Sequence, residues 1–407
     1  MNIKFLSFLT LTTCFSLGLS AQNNFSKSFG FAQRQTELLL RETAKAKAAS
    51  TNPNLAAPRT LSPTGELVLV PTKDWCSGFF AGNLWFLYEY TGYKHWKAQA
   101  MPFTSLEEAE KTNGGTHDMG FKVYNSLGNA YRLTHDGHYK DVILEAARTL
   151  STRFNPVVGS LKSWDNRKDW KFPVIIDNMM NLELLFEATK LSGDSSFYKI
   201  AVAHANTAIK NHFRPDFSSY HVIDYEPATG NVLHKQTHQG FADNSAWARG
   251  QTWGLYGYTM CYRETRNDIY LKQAEKIAKY ILSNPHMPKD LVPYWDFDAD
   301  DITNQPRDAS AAAVMASALY ELSTYSKNAK FYKSAANKIM NSLSTYQAQP
   351  DSAKGFLLLH STGHKPANSE IDVPIIYADY YYLEALLRQK RLARKLPVIN
   401  VAGTLKN

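Results

Sequence analysis

One local pattern, repeated five times, constrains this chain more than any other feature. A helix ends in a turn rich in Ser, Thr, Gly and Asn, and an aromatic residue then opens an Ala-rich helix. The copies are TGYKHWKAQAM from Thr91, THDGHYKDVILEAARTL from Thr134, SGDSSFYKIAVAHANTAI from Ser192, TRNDIYLKQAEKIAKYIL from Thr265 and YSKNAKFYKSAANKIMNSL from Tyr325. The turn residues supply caps, and the aligned aromatics Trp96, Tyr139, Tyr198, Tyr270 and Tyr332 pack each new helix onto the one before. Apolar residues three and four apart fill the intervening segments. The pattern predicts helices near 28–49, 78–91, 94–111, 117–134, 138–153, 177–192, 196–212, 243–264, 269–283, 307–324, 329–346 and 370–389. Stacked hairpins bury a continuous core, either as an open solenoid or as a ring. No polar end cap is evident, so the expectation is an all-α fold closed into a toroid of six inner and six outer helices. Long loops over 52–77, 154–176, 213–242, 284–306 and 347–369 are rich in Trp, Tyr, Asp, His or Gly. Loops of that length in a compact domain carry function.

The N-terminus has its own logic. Lys4, an apolar stretch from Phe5 to Leu19, and the small pair Ser20-Ala21 read as a secretory leader over 1–21. The mature protein is then one domain, 22–407, exported to the periplasm or beyond, and expected to be a monomer. No later stretch is long and apolar enough to span a bilayer. The net charge of +8 comes without any run of five Lys or Arg, so no nucleic-acid patch is expected. Cys76 and Cys261 lack His neighbours, which argues against zinc and for buried free thiols.

Several motifs carry chemistry. Trp75-Cys76-Ser77-Gly78-Phe79-Phe80-Ala81-Gly82 places two glycines in an aromatic stretch at a helix start, where backbone or ligand can approach closely. His117-Asp118-Met119-Gly120-Phe121 opens a predicted helix, where Asp118 is either a first-turn cap or a site carboxylate. Asp177 follows the apolar run Val174-Ile175-Ile176. It reads as an N-cap, or as an acid whose apolar approach raises its pKa. Trp164 precedes it in the same loop. The 213–253 segment holds His221, Asp224, His234, His238, Gln239, Asp243, Asn244, Arg249 and Trp253. The His spacing and scattered acids argue against a metal site. Arg249 and Trp253, four apart, share a helix face suited to a carboxylate beside a sugar ring, or form a cation–π pair. Asp308 reads as a cap. Asn368-Ser369-Glu370 is predicted to begin the last helix, an N-terminus suited to a carboxylate.

Taken together and in this order, these motifs resemble glycoside hydrolase family 88, the unsaturated glucuronyl hydrolases. The resemblance rests on Trp75-x-x-Gly-Phe, His117-Asp118-x-Gly-Phe, Ile176-Asp177-Asn178-x-Met-Asn, Trp247-Ala-Arg249-Gly-Gln-x-Trp253 and Asp379-Tyr-Tyr, from about Trp75 to Leu387. It implies an (α/α)6 barrel without metal or organic cofactor. It also implies removal of the unsaturated uronic acid that polysaccharide lyases leave at a non-reducing end. Asp177 matches the family's acid/base and Asp118 the second carboxylate. Trp75, His117, Trp164, His221, Thr237, Gln239, Arg249, Trp253 and Ser369 match substrate-contacting positions. The expected partners are unsaturated disaccharides from glycosaminoglycans. The related unsaturated rhamnogalacturonyl hydrolases are the competing reading, and a non-catalytic carbohydrate-binding toroid a third. Lys235, in the His-rich loop, is expected near the site as a contact for sulfate.

Overall fold

The structure is a computed structural model and describes residues 7–165 and 168–401. Its helices are α1 Ser7–Ala49, α2 Ser77–Thr91, α3 Lys94–Glu107, α4 Gly120–Gly128 continued by Asn129–Thr134, α5 Gly137–Ser151, α6 Asn178–Ser192, α7 Ser195–Asn211, α8 Ala248–Thr265, α9 Asp268–Ser283, α10 Ala309–Leu322, α11 Ala329–Leu343 and α12 Ile376–Ala393. Helices α2, α4, α6, α8, α10 and α12 pack each on the next, and α12 returns to α2. That closes the inner ring. Helices α3, α5, α7, α9 and α11 back it from outside, and α1 packs against both α2 and α12. The first and last helices thus form the sixth hairpin, and the fold is an (α/α)6 barrel.

The recurring junction has a backbone cause. Gly92, His135, Gly193 and Arg266 each end an inner helix in the left-handed conformation and return an amide to the helix carbonyl four residues back. Asp136, Asp194 and Asn267 follow at once and cap the outer helices through the amides of His138, Ser196 and Ile269. The reversal is tight, which lays the outer helix back along its inner partner. Trp96, Tyr139, Tyr270 and Tyr332 are buried behind it.

Close approach within the inner ring needs residues without side chains. A Cβ on Gly78 would lie 2.1 Å from the Lys122 carbonyl oxygen, and one on Gly120 would lie 2.7 Å from Asn181 Cα. The first contact seats α2 on α4, and the second seats the start of α4 on α6. The opening segment of α4, Gly120–Gly128, is wound as a π-helix, a form that concentrates at functional sites.

Short strands organise the rim: β1 Leu55–Leu61 with β2 Leu67–Pro71, β3 Phe154–Asn155 with β4 Ser160–Leu161, and β5 Pro173–Ile175, β6 Val222–Tyr225 and β7 Val232–Gln236 in one antiparallel sheet. Three expectations are corrected. The last helix begins at Ile376, because Asn368, Glu370 and Asp372 all take positive φ and hold 361–373 as a hairpin loop. Residues 244–247 precede α8 and are not helical. Helix α1 begins at Ser7, well before 28. Residues 1–6 of the expected leader lie outside the described residues, as does Asn166 of the Trp164 motif. Cys76 and Cys261 are buried free thiols, as expected.

Candidate active site

Sheet register builds the site. Strand β5 runs into Ile176 and Asp177, and its Ile175 pairs with Val222 at the start of β6. The Ile176 amide donates to the His221 carbonyl at 3.0 Å. His221 is therefore delivered beside Asp177, with its Nε2 3.6 Å from the Asp177 Oδ2. Val222 also pairs with Gln236 on β7, so the chain leaving β7 passes over His221. There the amides of His238 and Gln239 donate to His221 Nδ1 at 3.2 and 3.1 Å. A ring nitrogen that accepts two amides carries no proton. The neutral imidazole therefore holds its proton on Nε2, facing Asp177. Burial pushes the His221 pKa well below its usual value, reinforced by His238 and Arg249, so the ring is neutral.

Asp177 sits at the N-cap of α6, yet its carboxylate makes no cap hydrogen bond. Asp308, the ordinary case, caps α10 through the amides of Ser310 and Ala311. Burial raises the Asp177 pKa to about 7; Arg249 opposes the shift and Asp118 adds to it. Asp118 stands at the entrance to α4, whose Phe121 amide donates to Asn181 Oδ1 on α6 at 3.1 Å. That bond and the Gly120 contact bring the two carboxylates to one rim. His117 is 2% exposed. Its Nδ1 lies 2.7 Å from the Ser163 carbonyl, which can only accept, so Nδ1 carries the proton. Nε2 is then an acceptor, 3.2 Å from Asp118 Oδ1. Burial lowers the His117 pKa, which keeps this ring neutral as well.

Aromatic walls flank the carboxylates. Trp75 packs on Phe121 and Tyr377 at 5.4 and 5.0 Å, and Phe121 packs on Trp253 at 5.3 Å. Opposite, Trp164 stacks on Trp170 at 5.4 Å and meets the edges of His117, His221 and His238. Several buried polar atoms here lack a partner among the described residues: Asp177 Oδ2, His117 Nε2, His221 Nε2, Arg249 Nε and Trp253 Nε1. Buried polar groups are normally satisfied, so a cluster of exceptions marks where a polar ligand belongs. A second cavity, about 360 Å³, lies around the C-terminal ends of the inner helices among the ion pairs of Arg263 and Arg388. It holds neither Asp177 nor Asp118.

The structure brings Trp75, His117, Asp118, Trp164, Asp177, His221 and Trp253 together. The other expected residues, Arg249, Gln239, Thr237, Ser369 and Lys235, are engaged differently. Arg249 is 1% exposed and does not pair with Trp253. Its guanidinium lies over Trp247 at 4.5 Å and donates to Asp308 Oδ2 at 2.8 Å, to the Thr362 carbonyl at 2.5 Å and to the Gly363 carbonyl at 2.6 Å. Gln239 also donates to the Gly363 carbonyl, at 3.1 Å. Thr237 Oγ1 accepts the Gly240 amide. Ser369 is exposed on the hairpin paired with His364, not at a helix start. Lys235 lies 5.1 Å over the Tyr220 ring, on the sheet face opposite the Gln236 side chain that receives the Trp170 N–H. Period-2 alternation along β7 puts adjacent residues on opposite faces. Asp224 accepts the amides of Lys171 and Phe172 and is structural.

Sequence reasoning missed Trp170, Trp247, Tyr377 and His364. Trp247 was visible only as a family letter. His364, whose Nε2 donates to the His238 carbonyl, is brought in by a loop with no periodic pattern to place it.

A closed helical barrel whose rim holds a buried acid, a second carboxylate and Trp walls defines a carbohydrate-active enzyme of the glycoside hydrolase class. Residues 60–389 match Glycosyl Hydrolase Family 88, and the chain belongs to that family. It is similar to an unsaturated glucuronyl hydrolase of Formosa agariphila, with 54% identity over 343 residues, 83% of this chain and 86% of that protein. An unsaturated chondroitin disaccharide hydrolase of Streptococcus pneumoniae is 32% identical over 79% of this chain and 83% of its own length. The solved structure of an unsaturated glucuronyl hydrolase specific for heparin superposes with a TM-score of 0.84 at 45% identity, covering 91% of this chain and 99% of that one.

Proposed function

We propose that this enzyme hydrates the C4=C5 vinyl ether of the unsaturated uronic acid at the non-reducing end of glycosaminoglycan-derived disaccharides. The observation that carries this reading is Asp177: a buried carboxyl raised to about pH 7, beside a fixed N–H donor and a second carboxylate. Near neutrality about half of such groups hold a proton, the condition for one residue to serve as acid and then base. Asp177 gives its proton to C4, and positive charge develops at C5. The Asp118 carboxylate stabilises that charge. The Nε2–H of His221 supports Asp177 once it is ionised. Asp177 then takes a proton from the water that attacks C5 and returns to its starting form. The resulting hemiketal opens at its C5–O bond, leaving at C1 a hemiacetal that collapses and frees the second sugar. The anomeric centre is never displaced, so the carboxylate spacing that separates retaining from inverting glycosidases does not apply. His117 Nε2 is an acceptor suited to a substrate hydroxyl.

Loss of the ultraviolet absorbance of the C4=C5 bond tests the reaction. A matched panel of sulfated and unsulfated chondroitin, heparin and hyaluronan disaccharides, with an unsaturated rhamnogalacturonan disaccharide beside them, tests the substrate class. Turnover confined to the last would move the assignment to the rhamnogalacturonyl branch.

We further propose export, on the strength of the leader pattern over 1–21, and a mature protein that acts as a monomer. A mature protein beginning at Gln22 and eluting as a single chain is the expected result.

A further inference from the structure

The rim contains a clasp that the reaction itself does not use. Arg59, on β1, makes a two-pronged contact with Glu370: Nε to Oε1 at 2.6 Å and Nη2 to Oε2 at 2.8 Å. Its remaining arm, Nη1, reaches Asp74 Oδ2 at 2.7 Å. The Asp74 Oδ1 accepts the Cys76 amide at 2.9 Å, which fixes the backbone on either side of Trp75. One guanidinium thus holds the residue before a Trp wall and a residue of the 361–373 loop. Planar Arg–carboxylate contacts of this kind fix geometry as well as charge. The Arg59 side chain is 21% exposed and that of Glu370 9%.

Glu370 transmits the hold inward. It sits in the left-handed region, and its carbonyl accepts the Gly363 amide at 2.7 Å. Its side chain lies across Gly363 so closely that a Cβ there would meet Glu370 Oε2 at 2.4 Å. The Gly363 carbonyl in turn receives both Arg249 and Gln239, and the Gln239 amide is one of the two that fix the His221 ring. Next along the loop, His364 donates to the carbonyl of His238, whose amide is the other.

We infer that Arg59 is a positioning residue for substrate: through Asp74 and Glu370 it sets the distance between the Trp75 wall and the loop that seats Arg249, Gln239 and the His221 turn. This rests on the reading of the rim as the substrate site. The clasp touches neither Asp177 nor Asp118, and the turn over His221 keeps bonds of its own, the Thr237 amide to Asp243 Oδ1 and the Gly240 amide to Thr237 Oγ1, so loss of the clasp loosens the seat and leaves the acid and its histidine in place.

The test is steady-state kinetics of full-length wild type, Arg59→Met, Glu370→Gln and the double variant on an unsaturated chondroitin disaccharide, followed by absorbance loss across a pH series. Misplacing a binding wall predicts a KM raised about tenfold in Arg59→Met, with kcat within about twofold and its pH midpoint unmoved. Glu370→Gln moves KM the same way, and the double variant is no worse than Arg59→Met alone, because both break one contact. A wild-type KM in both single variants, even with a lowered Tm, overturns the clasp as a positioning device. So does a fall in kcat at constant KM. Should Arg59→Met fail to fold, the near-isosteric Glu370→Gln decides alone by the same criterion. An inactive wild type would instead overturn the reading of the site, and the clasp with it.

Discussion

His221 presents Nε2 to Asp177 Oδ2 at 3.6 Å while two main-chain amides occupy its Nδ1. The backbone therefore chooses the tautomer, and the ring turns its N–H toward the acid from just beyond hydrogen-bond distance. A histidine free to exchange tautomers would present a lone pair to the carboxylate half the time and would not stabilise its ionised form.

The first expectation concerns the acid. Asp177→Asn keeps shape and cannot exchange a proton. Turnover should fall by about 10²–10⁴ or more, since one group serves both steps, with substrate binding retained. Calorimetric binding beside absorbance kinetics checks it. A variant with a tenth of wild-type turnover would remove Asp177 from the role.

The second concerns pH and stability. Asp177 rises from the ordinary 3.8 to about 7 on folding. Below the lower value the group is neutral folded or unfolded and contributes nothing. Between the two, the unfolded chain releases the proton first, so stability falls as pH rises, and above about 7 the full penalty of about 4 kcal/mol is present. Asp177→Asn should thus match wild-type stability near pH 4 and exceed it at pH 8, by up to that amount. Denaturant melts at the two pH values read the difference directly.

Arg249 gives a third. It is paired with Asp308 in the interior, with side chains 1% and 0% exposed. Arg249→Ala strands a buried carboxylate and frees the 362–363 carbonyls, so about 3–5 kcal/mol of stability should be lost along with activity. Pairing Arg249→Met with Asp308→Asn, which keeps the cap, should recover much of the stability and none of the activity. Equal stability of Arg249→Ala and wild type would contradict the buried pair.

Gly120→Ala is the fourth. Its methyl meets the α6 backbone at Asn181, which cannot yield as a side-chain tip would. About 1–3 kcal/mol of destabilisation is expected. Because the same contact sets Asp118 beside Asp177, kcat should fall as well. Normal kcat with a lowered Tm would separate packing from catalytic geometry.

Much of this was legible in the chain. The junctions are local, and local signals survive in sequence: a left-handed residue followed by a side-chain cap writes itself as His135-Asp136, Gly193-Asp194 and Arg266-Asn267. Both carboxylates were visible because each stands at the start of an inner helix. What sequence could not give was partner choice. Arg249 and Trp253 share a helix face by spacing, yet the guanidinium is taken by Asp308 and two loop carbonyls brought from far along the chain. Lys235 falls on the wrong side of β7 because strand register, not loop membership, decides which face a residue shows. Ser369 was misplaced because a run of positive-φ residues that are not glycine leaves no compositional mark.

The hairpin that closes the ring is made of α1 and α12, opposite ends of the chain. During synthesis the inner wall stays an open arc until residues 376–393 emerge, and Tyr377, on which Trp75 packs, arrives with them. A nascent chain therefore has neither a sealed core nor a finished cleft until that helix has emerged. Closing contacts of such sequence separation form late and slowly. The same arrangement makes the last helix the release catch of the molecule: if it frays, the first inner helix loses a neighbour, and the cleft opens from the side that carries Trp75.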